Sequence, residues 1–480
     1  MNLKTNLYEH QQAAVDKLLP IKIGALYAEM GTGKTRMALE IIARRHKAGR
    51  IDKVLWFCPC SIKTGIRRDI EYHASGTEEL IAIYGLESIS QSSRIYYEIL
   101  QIIENHNVFL VVDESSMVKN HHAIRTQRIM AIAELCRYRM ILSGTPISKS
   151  EADLYAQWYI LDKRIFGYNS FWSFAANHLE YDKYGRIRRT LNVDYLTDKI
   201  ASYTFSIKKD ECIDLPEKEY EMQYFRLTWD QVDHYDEIKW KMLEKVDEFK
   251  PETIYRLFTA LQLITSGRRV TKCDPKLISR PFFDSPLENP RIEMFLELIN
   301  GLADEKVIVW CKYHHEINEV RYALQSERPD IQVAEFHGKL PLKWRNTQLD
   351  NFQDSAQILI ANKSCGGYGL NLQYCHNMIY YSNDFDYAMR AQSEDRVHRI
   401  GQTQKVLIQD IIANCKVDER IMSSLWRKEN LADAFKYELK SRRNISTWID
   451  GDRREDAGVD KNRAKRKREK KGIEEVSSGA

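Results

Sequence analysis

The chain has 480 residues, 43% hydrophobic and 29% charged, a length that implies two to four domains. No uninterrupted apolar run exceeds five residues, well short of the roughly 18–20 a spanning helix needs. Met1–Gln12 also lacks the cationic-then-apolar order of a secretory signal, so a soluble intracellular chain is expected. The formal charge of +4 conceals a basic run, Lys461–Lys471, with eight Lys/Arg and one Glu; without it 64 basic side chains face 67 acidic ones. The body is near neutral, so attraction to a polyanion must come from local patches and this run. Nine scattered cysteines with no C-x-x-C spacing exclude a disulfide framework and argue against a zinc site; Cys58 and Cys60 read as buried thiols on one strand face.

Short apolar runs predict strands at Gly24–Ala28, Lys53–Cys58, Leu80–Tyr84, Val108–Val112 and Arg139–Leu142, then at Lys306–Cys311, Gln332–Phe336, Gln357–Ala361, Met378–Tyr381 and Val406–Ile411. Stretches of helical character separate them, the pattern of parallel sheets with crossover helices, met twice. The expected fold is α/β, with two doubly wound domains at 1–205 and 291–440. Residues 206–290 are expected to form a helical insert and linker, the insert starting near 151, and 441–480 a basic, disordered tail. For Lys461–Lys471 itself, phosphate attraction, a solubilising terminus and a nuclear address all remain open.

Between the first strand and a helical stretch lies Ala28-Glu29-Met30-Gly31-Thr32-Gly33-Lys34-Thr35. Gly31, Thr32 and Gly33 offer backbone N–H groups to phosphates at a helix N-terminus, Lys34 reaches the terminal phosphates, and the Thr35 hydroxyl suits Mg²⁺. The fourth strand runs into Asp113-Glu114-Ser115-Ser116. Carboxylates at that end of a parallel strand stand beside a phosphate loop, Asp113 to orient the metal and Glu114 to activate water. Arg396 and Arg399 are three apart, so on a helix both would point at one phosphate and stabilise its developing charge.

These motifs in this order resemble superfamily-two helicase motors, particularly Swi/Snf-type double-stranded DNA translocases, over residues 7–440. Leu7-Tyr8-Glu9-His10-Gln11 resembles the adenine-sensing segment, which implies that Gln11 reads the base. Cys58-Pro59-Cys60-Ser61 and Lys119-Asn120 resemble DNA-contacting segments, implicating Pro59, Ser61 and Lys119. Leu142-Ser143-Gly144-Thr145-Pro146 resembles the coupling segment, with Ser143 and Thr145. Phe336-His337-Gly338 and Ser364–Leu372 resemble loops in which His337, Gly338 and Ser364 touch DNA and Gly369 touches nucleotide. Gln392–Gln402 is similar to the family's Q-A-x-D-R-x-H-R-I-G-Q signature, with Gln392 beside the nucleotide.

The resemblance implies two RecA-like domains, ATP and Mg²⁺ as cofactors, and a DNA-dependent ATPase, with the arginines lent by the second domain so that closure drives the stroke. The implied partner is duplex or branched DNA, with DNA-bound proteins as substrates; a monomer and no membrane contact are expected. The compact plan is similar to prokaryotic or phage members, which would place it in the cytoplasm; a eukaryotic source would place it in the nucleus. Ser116 departs from the family's usual histidine. A strand-separating or annealing motor, and a nucleic-acid-binding scaffold without turnover, stay open at this level.

Overall fold

The computed structural model describes residues 1–144, 151–181, 187–212, 215–243, 251–274, 276–302, 304–362 and 370–427. Thr145, Ser364, Gly369 and the basic run therefore lie outside the described residues. Two compact units emerge. The first is Met1–Lys218 with Cys365–His376 and Gln392–Val406; the second is Glu219–Ser364, Asn377–Ala391 and the chain from Leu407.

The first unit is built on six strands: β1 (Ile23–Ala28), β2 (Lys53–Cys58), β3 (Ile81–Gly85), β4 (Val108–Val112), β5 (Tyr138–Ser143) and β6 (Thr204–Ile207). They lie in the order β6-β1-β5-β4-β2-β3, every neighbouring pair parallel. Sheets covered on both faces need apolar residues at every position, and β4, VFLVV, is buried throughout. Alternate residues serve opposite cores. Tyr27, Leu55, Phe57, Leu110, Val112 and Ile141 pack on one face; Leu26, Trp56, Phe109, Val111 and Leu142 pack on the other. Each large side chain so removed from water contributes about 1.5–3 kcal/mol.

Cys58 is buried but Cys60 is exposed, contrary to the shared-face expectation. Pro59 ends the strand, and Cys60 belongs to the short 3-10 turn Cys60–Ile62, where the alternation of a strand no longer applies.

The second unit carries β7 (Lys218–Phe225), β8 (Val307–Cys311), β9 (Val333–Phe336), β10 (Ile358–Asn362), β11 (Asn377–Tyr380) and β12 (Val406–Ala413), in the order β7-β12-β11-β8-β10-β9. Its interior includes Phe295, Val309, Ile360, Ile379 and Ile411. All ten strands expected from apolar runs are present. The stretch expected to be a helical insert does hold helices Trp229–Leu243 and Pro251–Thr265. It also holds edge strand β7 and the antiparallel pair Arg268–Lys272 and Ile278–Pro281, and edge strand β6 lies just before it. Among the described residues no helix is long and apolar enough to cross a membrane.

Candidate nucleotide site

At the carboxyl end of β1 the chain turns through Glu29–Gly33 into the helix Lys34–Lys47. Gly31 and Gly33 have φ of +82° and +87°, a region that costs any other L-residue about 1–2 kcal/mol. Space forbids a side chain as well. A Cβ at Gly33 would come within 2.2 Å of Gln11 Nε2, and one at Gly31 within 2.9 Å of Arg399 Cβ. The Thr32 hydroxyl closes the loop by donating to Glu29 O at 2.8 Å.

Gln11 is 2% exposed. Its amide donates to Thr32 O at 3.1 Å and accepts from Tyr8 N–H at 3.1 Å, while a His10 ring nitrogen lies 3.0 Å from Thr32 O. Gln11, expected to read a base, has its side chain engaged in bracing the loop. Beside it a cavity of about 300 Å³ is lined by Tyr8, His10, Leu215, Ile400 and Gln402.

Asp113 follows β4, 5% exposed, and accepts a 2.9 Å bond from Glu114 N–H. Burial and the neighbouring Glu114 push its carboxyl up to about 7, against the pull of Lys34. Glu114 has φ 51° and ψ 53°, left-handed backbone that is rare outside glycine and gathers at functional sites. The next hydroxyl, Ser115, donates to Gln157 Oε1 at 2.6 Å. Lys34 Nζ donates to Ala28 O at 2.8 Å and Glu29 O at 3.3 Å. Burial lowers its pKa, while Glu114, Asp113 and Asp395 favour the charge and Arg396 opposes it. A Cβ at Gly144, directly after Ser143 on β5, would stand 3.6 Å from that ammonium. Three strand ends thus converge on one point.

The arginines arrive differently from the expectation. The helix Tyr387–Glu394, which carries the half-buried Gln392, stops before either of them. Arg396 and Arg399 lie on turns, closed by bonds such as Arg396 N–H to Ser393 O at 3.4 Å and His398 N–H to Glu394 O at 2.9 Å. The shared helix face is therefore wrong, although Arg396 still lies within electrostatic reach of Lys34 and Glu114. Arg399 donates to Asn371 Oδ1 and stands over Gly31. Arg396 is lowered to about 10 by burial and by Arg399, with Glu114 and Asp395 favouring its charge; among the described residues its buried Nε has no hydrogen-bond partner.

The other expected residues scatter. Ser143 is fully buried at the end of β5. Pro59 is buried and Ser61 half-buried at the turn after β2. Lys119 Nζ lies 3.4 Å from the Asp153 carboxylate. His337 is 8% exposed and pairs with Glu335 at 3.0 Å, which leaves its side chain little surface to offer DNA, whereas Gly338 is exposed. One contributor has no motif of its own in sequence, Lys209, whose backbone N–H donates to Glu29 Oε2 at 3.0 Å; His10 lies inside the adenine-sensing segment, where the resemblance implies a role for Gln11 alone.

A family model described as SNF2-related domain matches residues 10–277, and one described as helicase conserved C-terminal domain matches residues 290–401. The chain belongs to the SNF2-related family of superfamily-two ATPases. It is 24% identical over 427 residues to a Caenorhabditis elegans SWI/SNF-related matrix-associated actin-dependent regulator of chromatin subfamily A-like protein 1 homolog, an alignment covering 83% of this chain and 57% of the relative. It is likewise 24% identical over 375 residues to the putative ATP-dependent helicase/translocase YwqA of Bacillus subtilis, covering 76% of this chain and 38% of YwqA. The chain spans about half the length of these relatives. Among solved structures it matches a Sulfolobus solfataricus SWI2/SNF2 ATPase core in complex with double-stranded DNA, at 21% identity and a TM-score of 0.41, over 92% of this chain and 94% of that one.

Among the described residues no three His, Cys, Asp or Glu side chains converge on a point, so an all-protein metal cage is absent there. Mg²⁺ bound with a nucleotide needs few protein oxygens, since water and phosphate fill the remaining positions. The Thr35 hydroxyl and a buried Asp113 carboxylate, whose charge a divalent cation would stabilise, fit that demand.

Proposed function

We propose that this chain is an ATP-driven motor that moves on duplex DNA and remodels DNA or protein–DNA complexes in replication, recombination or repair. One observation carries the reading: Lys34, Asp113, Glu114 and Arg396 act on one another electrostatically around a single glycine loop. In this reading the loop N–H groups and Lys34 hold the phosphates. Thr35 and Asp113 would hold Mg²⁺, which would supply shielding of the phosphate charge. Glu114 takes a proton from the attacking water, and Arg396 with Arg399 stabilises charge on the transferring phosphoryl group. The cavity beside Tyr8 and His10 takes the base. Family membership and relatives named as helicases or translocases support a nucleic-acid track, with the segments around Pro59, Ser61 and Lys119 nearest to the expected contacts.

ATP hydrolysis is measured for wild type, Lys34→Ala and Glu114→Gln against single-stranded, duplex and forked DNA and RNA at one salt concentration. Duplex-stimulated turnover is expected in wild type and lost in both variants, with Glu114→Gln still binding ATP. Equal turnover in all three proteins would remove the assignments. Third-strand displacement from a triplex is expected to succeed; activity on a forked duplex alone would replace translocation with strand separation.

A further inference from the structure

Strand β6 pairs with β1 so that Ile207 stands opposite Ala28, and Glu29 N–H donates to Ile207 O at 3.2 Å. Lys209 therefore leaves the sheet beside the phosphate loop. Its backbone N–H is held by the Glu29 carboxylate at 3.0 Å, and its Cε would lie 3.6 Å from a Cβ at Gly31. The side chain is 8% exposed, yet it ends in an ammonium, which is costly to bury unless paired and fully bonded. The partners are the Asp395 carboxylate and, at 2.9 Å, the carbonyl of His398. Asp395 immediately precedes Arg396, and His398 immediately precedes Arg399. Farther along the same stretch, a His398 ring nitrogen lies 2.8 Å from Pro216 O, and Lys218 reaches Glu394 at 2.8 Å.

We propose that Lys209 is a positioning residue for ATP hydrolysis: anchored to the phosphate loop through Glu29, it grips the residues just before Arg396 and Arg399 and so fixes where both guanidinium groups stand. Two of the ammonium's three donors are committed to Asp395 and the His398 carbonyl in this arrangement. Its action is through the arginines. Their turn has no helix of its own to hold it, so its geometry depends on such ties. The proposal rests on the motor reading above.

The test uses the full chain with saturating duplex DNA and compares wild type, Lys209→Met, Asp395→Asn and the double variant. Steady-state hydrolysis, binding of a fluorescent ATP analogue and thermal unfolding are followed in each. Loosening an aligned group can cost about 10²-fold in rate. A fall of that order in kcat is expected for each single variant, with KM for ATP and analogue affinity within about two-fold of wild type. The double variant is expected to turn over no more slowly than the worse single one, because both remove the same tie. Lys209→Arg is expected to retain much of the rate.

Wild-type kcat in Lys209→Met, losses that multiply in the double variant, or a raised KM at unchanged kcat would each overturn the proposal. Should Lys209→Met fail to fold, Asp395→Asn with Lys209→Arg decides on the same criteria. Absence of turnover in wild type would overturn the motor reading and this proposal with it. Wild-type turnover with an indifferent Lys209→Met overturns this proposal alone.

Discussion

Both units place buried polar groups around a six-stranded sheet, but they use them in opposite ways. In the second unit the deeply buried charges of Arg291, Arg390 and Glu316 are answered within the protein. Arg291, 1% exposed, donates to Thr265 O at 3.2 Å, Thr265 Oγ1 at 3.1 Å, Tyr381 O at 2.5 Å and the Asp418 carboxylate at 2.7 Å. Arg390 meets both oxygens of Asp410 at 2.5 and 3.0 Å and Asn383 Oδ1 at 2.7 Å. Glu316, fully buried, accepts from Ser266, Ser382 and the backbone N–H groups of Lys312 and Tyr313. In the first unit Arg396 Nε is buried without a partner among the described residues, Asp113 is driven toward its neutral form, and Glu114 sits in left-handed backbone. A satisfied network cements a fold, whereas an incompletely satisfied one suits a ligand that completes it.

The largest effect that could break this comparison lies at Arg396. Arg396→Met is expected to lower DNA-stimulated ATP turnover by about 10³-fold, the low end for an arginine acting on a transferring phosphoryl group. The thermal unfolding midpoint should not fall, since a desolvated, partly unpartnered charge has been replaced by an apolar chain. A variant that unfolds earlier would move Arg396 into the cementing class, and one that keeps its rate would deny it any role in the reaction.

At Asp418 the opposite outcome is expected. Asp418→Asn leaves Arg291 buried beside a neutral partner and should cost about 3–5 kcal/mol of stability, measured by urea unfolding and by faster amide exchange in β11 and β12. The cost reaches beyond the pair, because Asp418 also accepts from Ala413 N–H at 3.0 Å, tying its helix to the end of β12. A loss below about 1 kcal/mol, as for an exposed ion pair, would mean that the network is decorative and the contrast between the units mistaken.

The eight interior strands were legible because residues buried on both faces must be apolar almost without interruption, and edge strands β3 and β9 were legible from short apolar runs of their own. The other two edge strands, β6 and β7, escaped because that demand lapses at an edge. In β7, Lys-Glu-Tyr-Glu-Met-Gln-Tyr-Phe, the alternation is present, but Tyr220, Met222 and Tyr224 face solvent at 39%, 46% and 51% exposure. Its apolar side does not mark a core. Around the nucleotide site, the residues fixed by local chemistry could be read directly: Gly31 and Gly33 by backbone conformation, Lys34 and Thr35 by their place at a helix start, Asp113 and Glu114 by the strand before them. The spacing of Arg396 and Arg399 suggested a helix that ends one turn too soon, since separation by three is compatible with successive turns as well. Lys209 was invisible because its partner lies 186 positions away, and nothing around a lone lysine announces a contact at that range.

The last effect concerns a group that sits uneasily in the second unit's network. Glu319 is raised to about 8, by burial first and by Glu316 second, with Arg268 at 3.9 Å pulling it down. Tyr381 also interacts with Glu319 and is itself shifted by burial toward its neutral form. Since the folded value lies above the unfolded one, the folded chain holds a proton that the unfolded chain releases between about pH 4.5 and 8. The associated stability is fully present below that window and is lost as pH rises through it, at no more than about 1.4 kcal/mol per pH unit. Glu319→Gln removes the proton exchange, so its stability relative to wild type should improve steadily from pH 5 to pH 8 and then level off. Parallel stability profiles for the two proteins would show that Glu319 keeps an ordinary carboxylate, and would place it with the fully satisfied groups around Arg291.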